Sequence, residues 1–191
     1  PCGLAAQISP CGLAAQDSER RPGRAAPYCG HTLDLEPAMS FRISGLPAET
    51  FQHLFAMSDA ELARHGAVRR IAEDGGYPCR VSLTDATPGD AVILVNYEHH
   101  AADTPYRSRH AVYVREGERR FDAVGDVPVQ LRKRLLSVRA FDEAGMMVEA
   151  DVVDGRELEP LIDRFLAKDT VAYLHLHFAR PGCYAARVDR A

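Results

Sequence analysis

Cys79 stands beside Arg80, directly after Pro78 and downstream of Gly75-Gly76, at the mouth of a segment patterned as a strand. A thiol in an exposed loop next to a guanidinium has the character of a nucleophile or a redox group. The competing reading is a small buried hydrophobe. Cys183 is the only other cysteine of the patterned region, and a lasting disulfide between the two is not expected in a reducing compartment. His99 and His100 close an apolar segment where the chain leaves its sheet, a place where scaffolds present functional groups. Either histidine can serve as general base for Cys79 or for a bound water, and solvated strand-end histidines are the alternative. The expected catalytic set is therefore Cys79, His99 and His100.

His175 and His177 are two residues apart in a strand pattern, so their rings leave one face together with Tyr173, while Leu174, Leu176 and Phe178 leave the other. An H-x-H pair is a two-point chelate for Zn2+ or Fe2+ that needs at least one more ligand. His99, His100, His110, Glu98 and Asp85 are all candidates, and spacing does not choose among them. With no complete ligand set, no cofactor is expected, and the pair reads as ordinary residues on a half-exposed sheet face. Planar guanidinium forks and an aromatic face suit a carboxylate or phosphate. Arg80, Asp85, Tyr106, Arg107 and Arg187 are the ligand-binding candidates on that ground.

Positioning these groups requires a sheet. Alternation over 41–44 predicts a first strand, and Pro47 with Phe51, Leu54 and Phe55 predicts a helix. Ser58-Asp59-Ala60-Glu61 is a capping box for a second helix that stops at Gly66. Strands are predicted over 68–72, 80–83, 91–97 and 111–115, separated by Gly- and Asp-rich turns. Residues 91–95 are apolar throughout, as befits the middle of a sheet covered on both faces. A loop containing Gly125 and Pro128 leads to a hairpin, 135–141 and 146–153, then an amphipathic helix over 156–167. Strands over 171–178 and 183–190 finish the chain. The fold class is α+β, a single domain with a mainly antiparallel sheet and about three helices.

The run Tyr77-Pro78-Cys79-Arg80, with Leu83, Asp85-Ala86, Gly89-Asp90, Pro105-Tyr106-Arg107 and the terminal Gly182-Cys183-Tyr184, resembles the bacterial DUF1203 family over nearly all of residues 41–191. The resemblance implies one domain and a bacterial source and supplies no reaction, because the family has none assigned. Ser108-Arg109-His110 stands where members commonly carry a Gly-Pro step.

The 191 residues begin with PCGLAAQIS followed by PCGLAAQDS, a duplication too short for a repeat fold, and then an Arg-, Pro- and Gly-rich tract. Residues 1–38 read as a disordered leader outside the native fold, with translation expected to start at Met39. Cys2, Cys11 and Cys29 in that tract lack the close pairs of zinc knuckles. The domain proper runs over 39–191.

A net charge of −4 gives no broad positive field for a phosphate backbone. Of 23 basic side chains only Lys133 and Lys168 are lysine, a mark of GC-rich coding. Arg119-Arg120 and Arg132-Lys133-Arg134 read as wet surface. No apolar run reaches the roughly 20 residues of a membrane span, and no Gly-rich phosphate loop, nucleophile elbow or H-E-x-x-H occurs. The expectations are a cytoplasmic protein with neither nucleic acid nor membrane as partner and a small anionic metabolite as ligand. Binding or turnover would take place in a pocket built of Cys, His and Arg. The alternative is a non-catalytic interaction or structural module, and whether the chain is an enzyme stays open at this level.

Overall fold

Nine strands in two antiparallel sheets carry the architecture, in a computed structural model that describes residues 40–191. The expected leader over 1–38, its three cysteines and Met39 lie outside the described residues. Strands β1 (Phe41–Ser44), β5 (Asp122–Val124), β6 (Leu135–Phe141), β7 (Met147–Asp154), β8 (Tyr173–Phe178) and β9 (Tyr184–Arg190) form the larger sheet in the order β5-β1-β9-β8-β6-β7. Strands β2 (Ala67–Ile71), β3 (Ala91–His100) and β4 (Ser108–Arg115) form the smaller one, with β3 in the middle. Four short α-helices accompany them: α1 (Gln52–Phe55), α2 (Asp59–Arg64), α3 (Val129–Arg132) and α4 (Leu158–Leu166). The described residues are thus an α+β fold. None of their helices is long and apolar enough to cross a membrane.

Side-chain period explains the layers. In α4 Leu158, Leu161, Ile162, Phe165 and Leu166 share one stripe, which packs on Ile43, Val138, Leu174, Leu176 and Val188 of the larger sheet. Each such fully buried side chain contributes about 1.5–3 kcal/mol. A second core joins the smaller sheet to the amino-terminal helices through Leu46, Phe51, Leu54, Leu62, Ile93, Val95, Val112 and Val114. Tyr184 of β9 belongs to this second core, so its ring ties the larger sheet to the smaller. The capping box at α2 forms as its residues require, with the Ser58 side chain accepting from Glu61 N–H, and Gly66 follows at φ +64°.

Three expectations are corrected. Residues 80–83 form no strand. The segment 78–85 is a tight loop in which Cys79 N–H donates to Thr84 O, Pro78 bridges Asp85, and Leu83 sits at φ +53°. The apolar strand is central in the three-stranded sheet and not in the larger one, whose middle is β9 and β8. The loop around Gly125 and Pro128 contains β5 and α3, with Pro128 supplying the extended residue before the helix. Helix α3 is held close to the start of the turn before α4: a Cβ on Gly155 would stand 1.9 Å from Leu131 O.

Candidate metal centre

The alternation of β8 turns Leu174 and Leu176 into the core beneath α4 and His175 and His177 to the opposite face. That face is covered: His175 is 2% exposed and His177 0%. The half-exposed surface expected for the pair is therefore corrected, because the end of the smaller sheet lies over it. His99 arrives from β3. Pairing with β4 matches Glu98 to Arg109 and then His100 to Ser108, which leaves His99 as the extra residue of a β-bulge. The bulge aims its ring at β8, with centroids 5.7 Å from His175 and 5.1 Å from His177. A second bulge, in β9 between Tyr184 and Ala186, sets the Tyr184 ring against His99, stacked at 4.8 Å and 17°.

Imidazole nitrogens of His99, His175 and His177 lie within 4.8 Å of one another. Zn2+ with Zn–N of about 2.0–2.1 Å holds tetrahedral nitrogens about 3.4 Å apart, so ring rotations of about 1 Å complete the set. Both nitrogens of His99, Nδ1 of His175 and Nε2 of His177 are buried without a hydrogen-bond partner among the described residues. His177 Nδ1 lies 3.0 Å from Gly182 O. A carbonyl only accepts, so Nδ1 carries the proton and Nε2 presents its bare lone pair to the other two rings. Burial is the main reason all three rings are neutral. It pulls His99 down to about 4, with His110 and His100 adding to the effect. His175 falls to about 2, with His99 and His177 contributing, and His177 to about 3, with Arg139 contributing. Neutral, unpartnered and convergent imidazoles are the donor set that a borderline-soft cation takes.

The wall of this centre is aromatic and held from outside. His100, 3% exposed, places Nδ1 3.0 Å from Tyr106 O and Nε2 2.9 Å from the Tyr173 hydroxyl, so both its nitrogens are engaged. His110 stacks on His99 at 5.9 Å and forms the boundary between the histidines and a cavity of 640 Å³. That cavity is lined by Arg80, Lys133, Arg134 and Arg180 and by no carboxylate. Cys183 also faces it, accepting from Arg80 Nη2 at 3.0 Å.

The structure gathers His99, His175 and His177 and disperses the other candidates. Cys79, expected at an exposed loop, is 1% exposed among Leu46, Val81 and Ile93, because the 78–85 turn folds it under the smaller sheet. His100 is a positioning residue for the Tyr106 loop. Arg80 is buried against Tyr184 O at 2.6 Å, Pro78 O and the Cys183 sulfur, with one edge at the cavity. Asp85 holds Arg134 in an ion pair at 2.8 Å. Tyr106 contributes its carbonyl and packs on Phe141. Arg107 pairs with Glu98 at the surface, and Arg187 lies over the Tyr173 ring at 3.9 Å while bonding Asp189. Sequence reasoning passed over Tyr184, Cys183 as the cavity thiol, and the cavity cations Lys133 and Arg180. The turn Arg180-Pro181-Gly182 next to Cys183 was the available signal for the last.

A family model described as "Protein of unknown function (DUF1203)" matches residues 76–190. The match takes in the PCR and PYR segments and all three histidines of the centre, and leaves β1, α1, α2 and β2 outside it. No curated protein and no solved structure matches the chain.

Proposed function

We propose that this chain, which belongs to the DUF1203 family, is a metal-dependent protein that holds one divalent transition-metal ion on His99, His175 and His177. One observation carries the reading: three neutral rings converge within 4.8 Å with buried nitrogens that nothing among the described residues satisfies. Each unsatisfied buried polar atom costs about 1–3 kcal/mol. A cation shared among the rings takes one nitrogen from each, so at most three of the four orphaned atoms are relieved at once. Imidazole suits Zn2+, Cu2+, Fe2+ and Ni2+, and three protein ligands around Zn2+ leave a fourth position for water or substrate. A metal held by His99, His175 and His177 would supply an activated water for attack on a small molecule. Gly182 O holds the His177 tautomer, and Tyr184 and His110 hold the plane of His99.

The test is metal retention. Full-length protein is stripped with chelator, equilibrated with Co2+ or Zn2+ and passed through a desalting column. About one ion per chain is expected, with the visible bands of tetrahedral Co2+. His177→Ala abolishes retention, and His99→Ala, at the more open ring, does so with the circular dichroism of the wild type. A folded wild type that keeps no metal at micromolar free Zn2+ overturns the proposal and leaves the histidines as an aromatic packing cluster.

A further inference from the structure

The cavity beside His110 is a room with cations in its wall and no acid. Arg134 is neutralised by Asp85, whereas Lys133 and Arg180 have no carboxylate partner among the described residues. Both are exposed, and they flank the cavity from separate segments, the α3–β6 turn and the β8–β9 turn. Leu94, Ala111, Leu135 and Pro181 give the wall its apolar part, beside His110 and Tyr113, while the ring of Phe178, 4% exposed, lies under Arg80 at 4.6 Å and Arg134 at 5.0 Å. Cationic rims over an apolar floor favour a molecule with an anionic head and an apolar body.

We infer that this cavity is the seat of an organic anion, a carboxylate or phosphate on a ring or short acyl body, whose head is held by Lys133 and Arg180 and whose body rests on Leu94 and Leu135. The assignment goes beyond the metal reading and adjoins its site, because His110 is at once the cavity wall and the ring stacked on His99. A bound body therefore lies one ring away from the histidine centre.

Benzoate, phenyl phosphate and uncharged benzyl alcohol are titrated by calorimetry into stripped and Zn2+-loaded full-length protein. Binding of benzoate or phenyl phosphate and not of benzyl alcohol is expected. A preference between the two anions tells carboxylate from phosphate. Lys133→Ala/Arg180→Ala weakens the anion by about tenfold or more and leaves metal retention intact. His177→Ala loses the metal and keeps the anion in a stripped-protein titration. Absence of anion binding, or binding indifferent to the Lys133 and Arg180 substitutions, overturns the seat whatever the metal result. Anion binding without metal retention overturns the centre alone.

Discussion

Acidifying the metal-free protein from pH 7 to pH 5 removes stability through His175 and His177. Both rings are neutral in the fold, held near 2 and 3 by burial, and regain an ordinary value near 6.5 when the chain unfolds. The sign follows from proton counting. Below pH 6.5 the unfolded chain binds protons that the folded one refuses, so stability is present above that value and falls with pH. The loss continues until the folded values are reached. Between pH 7 and 5 each ring gives up about 2 kcal/mol, and the pair about 4 kcal/mol, with a limiting slope of about 1.4 kcal/mol per pH unit per ring. His99 adds in the same direction and by less, because it is more open. The surrounding groups do not cancel this, since His110, His100, Arg139 and Arg187 face the rings from β4, β3, β6 and β9, and any positive charge they carry opposes protonation. Carboxylates shifted downward, Asp90 chiefly by hydrogen bonds from Thr87, Glu98 by Arg107 and Asp151 by Arg164, act at lower pH. The window belongs to the histidines. Urea midpoints at half-unit steps, with the slope of each transition, give the curve. Replacing His177 by Gln should reduce the decline by about 2 kcal/mol. A stability flat from pH 7 to 5 in the stripped wild type would refute the claim that neutral buried rings form the centre.

Thiol accessibility separates the two domain cysteines. In a variant with Cys2, Cys11 and Cys29 replaced by Ser, an anionic disulfide reagent should modify Cys183 in the native state and Cys79 only after denaturation, read by mass of the labelled peptides. Modification of Cys79 first would mean that the 78–85 loop does not bury it. Gly155→Ala places a methyl 1.9 Å from Leu131 O, backbone against backbone. It should cost about 3 kcal/mol or more, at the severe end for single substitutions, and a urea midpoint within error of wild type would show that α3 can move away.

Much of this chain was legible because its elements are locally encoded. The capping box at Ser58, the amphipathic stripe from Leu158 to Leu166 and the 135–154 hairpin each rest on spacing within one segment, and each formed where that spacing required. The H-x-H pair was visible for the same reason, since period two alone puts His175 and His177 on one face. The 78–85 segment misled: its polarity and Pro-Cys-Arg run suggested an exposed strand mouth, while the backbone bonds that bury Cys79 join residues to Thr84 and Tyr113.

Sequence alone determined the ingredients: an α+β pattern, two imidazoles aligned on one strand, and an excess of guanidinium groups. Tertiary structure decided that His99, 76 positions from His175, comes to lie beside the pair and that Cys79 does not. The physical reason lies in the bulges. One extra residue in β3 and one in β9 re-aim His99 and Tyr184, and a bulge answers to register between partners distant in the chain, which no single segment encodes.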